Sequence, residues 1–68
     1  MRKRSVVLRG HATSVALEAA FWEALEAWSR ETGRSVPALI AAIDAEREGG
    51  SLASAIRVAL LLRAREGR

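Results

Sequence analysis

The sequence predicts a mainly α fold with a short N-terminal β-ribbon, on three observations. Thr13, Val15 and Leu17 alternate with Ala12, Ser14 and Ala16, the period of two of a half-buried strand. Directly after Glu18 the period lengthens: Phe21, Leu25 and Trp28 stand at i, i+4 and i+7 of a helical face. Gly33 and the pair Gly49-Gly50 then cut the remainder into helix-length pieces. The order is strand, helix, helix, helix, in a single domain over residues 1–68.

Residues 1–11 read as a basic arm or an extra strand. Arg4-Ser5-Val6-Val7-Leu8-Arg9 has β-branched residues at its centre. Gly10-His11 punctuates it, and Gly in the first of two central positions suits a type II′ turn that would fold the run back on the next strand. The ribbon strand itself covers residues 12–17. Helix 1 is expected over 18–32, with Phe21, Ala24, Leu25 and Trp28 inward and Glu23, Glu26, Arg30 and Glu31 outward. Gly33 is a good residue to end it. Trp22 falls off that stripe and is expected to pack against a second helix or another subunit.

Helix 2 is expected over 36–48, capped by Ser35, with Pro37 tolerated in the first turn and Val36, Leu39, Ile40 and Ile43 as its apolar face. Helix 3, capped by Ser51, is expected over 52–65. Leu52, Ala55, Ile56, Ala59, Leu60 and Leu62 supply its apolar face, and Arg57, Arg63 and Arg65 point outward.

A core of this size is small, since only 4 % of the 68 residues are aromatic. Ordering the backbone costs about 1–2 kcal/mol per residue, against about 1.5–3 kcal/mol returned by a fully buried Leu or Phe. There is no Cys for a disulfide and a single His for a metal, which leaves association between copies as the route to stability. One short strand ahead of a helix also needs a partner strand, and the nearest copy is in another subunit. A homodimer is the expectation.

Charge is distributed unevenly along the chain. Residues 1–10 hold Arg2, Lys3, Arg4 and Arg9 and no acid, a net +4; residues 11–48 hold three Arg against seven acids, a net −4; residues 49–68 hold four Arg against one acid, a net +3. A block of four cations in ten residues is an electrostatic footprint suited to phosphates.

Several classes are excluded. Charges break the apolar runs well short of the 18 or so residues of a membrane span, and Val6-Val7-Leu8 is too short for the core of a secretion signal. Absence of Cys fits a reducing compartment, so a cytoplasmic location is expected. His11 has no companion ligand, and Ser14, Ser35, Ser51 and Ser54 have no base in a nucleophile elbow. No enzyme activity, metal or cofactor is expected.

Ser14-Val15-Ala16-Leu17-Glu18 with Phe21 and Leu25, then Gly33-Arg34-Ser35-Val36-Pro37-Ala38-Leu39-Ile40, resembles the strand, first helix and second-helix start of the ribbon-helix-helix superfamily, the fold of the Arc and MetJ repressors. Lys3 through Val7, Ile43-Asp44 and Ser51 through Val58 extend the likeness to a bacterial subfamily with an added C-terminal third helix.

The resemblance implies an intertwined homodimer that inserts a two-stranded ribbon in the DNA major groove, as a transcriptional regulator or antitoxin. Val15, Leu17, Phe21, Leu25, Trp28, Leu39, Ile40 and Ile43 would form the dimer core. Double-stranded DNA would meet Ala12, Ser14 and Ala16 on the reading face, Arg2, Lys3, Arg4 and Arg9 on the arm, and Arg34, Ser35 and Val36 at the start of helix 2. Ala12 and Ala16 depart from the family pattern, because alanine offers only a methyl contact to a base. A protein-interaction or dimerisation module with weak or no sequence-specific DNA binding, holding a protein partner through helix 3, is the alternative.

Overall fold

A computed structural model describes residues 1–67; Arg68, counted above in the C-terminal charge, lies outside the described residues. Two strands, β1 (Arg2–Leu8) and β2 (His11–Leu17), precede three helices, α1 (Ala19–Thr32), α2 (Val36–Ala45) and α3 (Leu52–Glu66). The strands pair antiparallel with each other, from Arg2 opposite Leu17 to Leu8 opposite His11. The ribbon is therefore a hairpin closed within one chain. That corrects the expectation that the strand before α1 must find its partner in another subunit: residues 2–8 supply it.

The turn also differs from the expected type II′. Its central residues are Arg9 and Gly10, with φ of 54° and 81°, so both are left-handed, as a type I′ turn requires. Gly10 takes the second place, where a residue without Cβ is favoured. Arg9 takes the first, although few L residues other than Asn and Asp tolerate it.

Alternation along both strands separates two faces. Val6 and Leu8 of β1 and Val15 and Leu17 of β2 are buried against the helices. Lys3, Ser5 and Val7 of β1 lie opposite Ala16, Ser14 and Ala12 of β2 on the other face. β1 packs on α2 and β2 on α3, while each helix touches the other two. The core between these layers is completed by Trp22, Leu25, Leu39, Ile40, Ile56 and Leu60.

Helix ends follow local chemistry. Ser35 and Ser51 accept hydrogen bonds from Ala38 N–H and Ser54 N–H at 3.2 and 3.0 Å, capping α2 and α3. Gly33 ends α1 in the left-handed conformation, its N–H donating to the Ser29 carbonyl. α2 stops at Ala45, short of the expected Glu48. The Arg47 guanidinium folds back there, donating to Asp44 Oδ1 at 3.0 Å and to the Gly50 carbonyl at 2.7 Å, and ties down the loop to α3.

The buried face of α1 is turned from the expected one. Trp22 and Leu25 are fully buried, whereas Phe21, Ala24 and Trp28 are only partly so. Trp22, expected to pack against a second helix or another subunit, is the largest fully buried side chain within the single chain, with its indole N–H bound to β1. The hairpin causes the rotation, because it covers the side of α1 that carries Trp22. On α3, Leu62 is likewise outside, at 47 % exposure.

Two consequences can be measured in urea. Trp22→Ala should cost about 3–5 kcal/mol, the usual range for truncating a buried aromatic, and Trp28→Ala distinctly less. Arg9→Asn should stabilise the chain by up to about 1 kcal/mol, since the left-handed conformation costs most L residues roughly 1–2 kcal/mol and Asn tolerates it better.

Candidate nucleic-acid interface

The uncovered face of the hairpin is built from the alternation just described. Three cross-strand pairs make it: Lys3 with Ala16, Ser5 with Ser14 and Val7 with Ala12. Strand axes lie about 4.8 Å apart, so the hairpin is a flat two-stranded ribbon with one cation, two facing hydroxyls and three small or branched apolar groups. Ala12 and Ser14 are exposed and Ala16 is half-buried. Ser5 and Val7, which sequence reasoning did not single out, share this open face. Their period-two spacing from Lys3 is a signal in the sequence, but it places them on a ribbon face only once residues 2–8 are paired with β2.

The cations of the first ten residues separate into two sets. Lys3 lies on the open face, Arg9 at the turn, and Arg2 at the free end of β1; all three are exposed. Arg4 points the other way. Its guanidinium sits 4.6 Å from the centre of the Trp22 ring and binds Glu26 Oε2 at 3.0 Å. A cation held over an aromatic face and paired with a carboxylate is already neutralised. Arg4 joins the hairpin to α1.

The same device recurs twice on α1. Arg57 lies over Phe21, 5.7 Å from the ring centre, and binds Glu18 Oε1 at 3.0 Å. Arg63 lies over Trp28 at 5.2 Å and pairs with Glu31. Each aromatic of α1 thus carries an arginine from another element, and each arginine is held by a glutamate of α1 or its N-cap about one turn from its ring. Arg57 and Arg63, expected to point freely outward, instead fasten α3 to α1.

At the start of α2 the expected phosphate site is sparse. Ala38 N–H is taken by Ser35 Oγ, Leu39 N–H by the Ser35 carbonyl, and Pro37 has no N–H. The Ser35 and Val36 N–H groups remain without an acceptor among the described residues. The Arg34 backbone is pinned on both sides, its N–H donating to Thr32 Oγ1 at 3.2 Å and its carbonyl accepting from Ser29 Oγ. Arg34 is exposed beside that turn.

The residues expected to build a dimer core sit in the core of the single chain. Val15, Leu17, Leu25, Leu39 and Ile40 are buried there, and Phe21, Trp28 and Ile43 pack at its margin. His11 is exposed at the end of β2, and no cluster of three or more His, Cys, Asp or Glu with metal-binding geometry occurs among the described residues. No helix among the described residues is long and apolar enough to cross a membrane.

A hairpin ribbon ahead of two helices joined at Gly33-Arg34-Ser35 is the arrangement that decides the family. A family model described as a ribbon-helix-helix domain matches residues 1–64. The chain belongs to the ribbon-helix-helix domain family. Domains of this family typically bind DNA, in transcriptional regulators and antitoxins. No curated protein and no solved structure matches the chain. In this ribbon-helix-helix domain the third helix follows the Arg47-fastened loop, and the added strand β1 completes the ribbon.

Glu18 provides a pH handle on the α1–α3 junction. It stands at the N-cap of α1, and a backbone hydrogen bond, then the Arg57 guanidinium, hold its carboxyl below the usual carboxylate range. A carboxyl lowered in the folded state stabilises the fold above its ordinary value, about 4.3. That contribution disappears as the pH falls through the lowered folded value. Glu18→Gln should therefore reduce stability near neutrality slightly and flatten its decline below about pH 4.3. Thermal unfolding followed from pH 7 downward measures both effects.

Proposed function

We propose that this ribbon-helix-helix domain is a small DNA-binding protein, a transcriptional regulator or antitoxin acting in the cytoplasm as a homodimer. It lays the outer face of the β1–β2 hairpin in the major groove and sets Arg2, Lys3, Arg9 and Arg34 against phosphates. Its chemistry is recognition, with no catalytic step. The observation that carries this reading is the hairpin itself: a complete two-stranded ribbon whose inner face is bound to the helices and whose outer face is uncovered.

Width supports it. The major groove, about 12 Å across, admits a two-stranded ribbon. Pairing two hairpins edge to edge through β2 would give four strands, about 14 Å from first axis to last before side chains are added. One hairpin per groove is the fitting unit, and the intertwined ribbon is not needed to build it.

The outer face has modest reading power. Lys3 donates to guanine or phosphate, Ser5 and Ser14 each offer an adaptable hydroxyl, and Val7, Ala12 and Ala16 offer only methyl contacts. This composition favours phosphate-led binding with weak base selection. It is also the observation that keeps the second reading, an interaction module with weak or no sequence-specific DNA binding.

Salt titration separates them. Each lost phosphate contact should flatten the dependence of log K on log salt by about 0.9. Lys3→Ala with Arg9→Gly, the latter suited to the turn, should flatten it by about 1.8 per chain and weaken binding to all duplexes alike. Arg4→Ala should lower stability and leave the slope nearly intact. An unchanged slope in the Lys3/Arg9 variant favours the interaction module.

A further inference from the structure

Val7 is the residue of the hairpin's open face least suited to water. It is 65 % exposed, and among the described residues it is the only large hydrophobic side chain within the two strands that stays outside. Its neighbours Val6 and Leu8 are buried, so the register that seats them turns Val7 outward. Strand propensity does not require valine there, because threonine favours strands as well and suits water better.

Opposite Val7 stands Ala12, also exposed. Directly opposed residues hold their Cβ atoms about 5 Å apart, close enough for one methyl group to rest against both. Neither side chain offers a donor or an acceptor. The other two pairs differ: Ser5 and Ser14 carry hydroxyls, and Lys3 carries a cation beside the half-buried Ala16. Lys3 stands four residues from Val7, about 13 Å along β1. The open face therefore grades from a cationic end near the chain start to an apolar end beside the turn, where the exposed Arg9 flanks it.

Base edges in the major groove are polar apart from one group, the C5-methyl of thymine. A polar edge set against Val7 and Ala12 would lose water and gain no partner. A methyl set there buries apolar surface on both sides. We propose that the Val7–Ala12 pair reads the C5-methyl group of a pyrimidine, so that the ribbon selects thymine-rich duplex at its turn end while the cations hold phosphates. This names the target of the DNA-binding face and rests on the DNA reading above. Ala12, a departure from the family pattern, is then small for a reason: a longer side chain would fill the space the methyl takes.

The test measures affinity of the full chain for two pairs of duplexes. One pair is alternating A·T and the same duplex with deoxyuridine, which lacks the methyl, at every thymine. The other is alternating G·C without and with 5-methylation of every cytosine. Within each pair the methylated member should bind about fourfold tighter per bound ribbon, the worth of one buried CH₂. Both members should share one salt slope, because a methyl contact releases no counterion.

Val7→Ser should erase both preferences with the circular dichroism unchanged, since the side chain is outside the core. Val58→Ser, at a comparably exposed valine on α3 (52 %), should keep them. Equal affinity within either pair overturns the proposal, and a salt-dependent affinity there leaves the DNA reading standing. A preference that survives Val7→Ser overturns it too, marking a response to duplex shape. A chain with no salt-dependent affinity for any of these duplexes fails the DNA reading itself, and the proposal with it.

Discussion

The contact between Trp22 and the first strand holds this fold together. The indole Nε1–H donates to the Arg2 carbonyl at 2.9 Å while the ring lies fully buried beneath the Arg4 guanidinium. A buried indole needs a partner for its one donor, and here the partner is backbone of the hairpin. That contact, together with the packing of β1 on α2 and of β2 on α3, sets where the ribbon sits on the helices. The face turned to solvent follows from it, since β-strand alternation ties each outward residue to an inward one. Shifting β1 by one residue would send Arg4 outward and Lys3 into the core.

The three glutamate–arginine–aromatic arrangements extend that constraint around α1. Exposed ion pairs contribute little individually, and these arginines and their glutamates are each roughly one-third or more exposed. Their effect lies in placement more than in stability. Each arginine comes from an element distant in sequence, Arg4 from β1 and Arg57 and Arg63 from α3, and each covers an aromatic face that would otherwise meet water. A chain with only three aromatics uses all three to register its neighbours. The cost is that cations counted from composition as available for phosphate are fewer on the surface.

Much of this architecture was legible in the residues. The switch from period two to a helical period at Glu18, the serine caps at 35 and 51 and the breaks at Gly33 and Gly49-Gly50 are local signals, and local chemistry decides them. What was not legible depended on pairing across the chain. The sequence points to a turn at Gly10-His11, one residue past the observed Arg9-Gly10, because a glycine fits either central place of some hairpin turn and an arginine with positive φ is disfavoured by propensity. Periodicity alone runs the α1 stripe through Phe21 and Trp28, because the hairpin's cover over Trp22 is a long-range contact that no local spacing encodes. The roles of Arg4, Arg57 and Arg63 were hidden for the same reason: their partners are 22, 39 and 32 positions away.

The Arg9-Gly10 turn has a consequence for dosage. A ribbon assembled from one strand of each of two chains exists, when the protein is scarce, in proportion to the square of its concentration. A ribbon closed by its own turn exists in proportion to the concentration itself. Two residues thereby separate the making of a ribbon from the meeting of chains: each newly made chain carries a finished ribbon, and concentration governs only what finished ribbons do next.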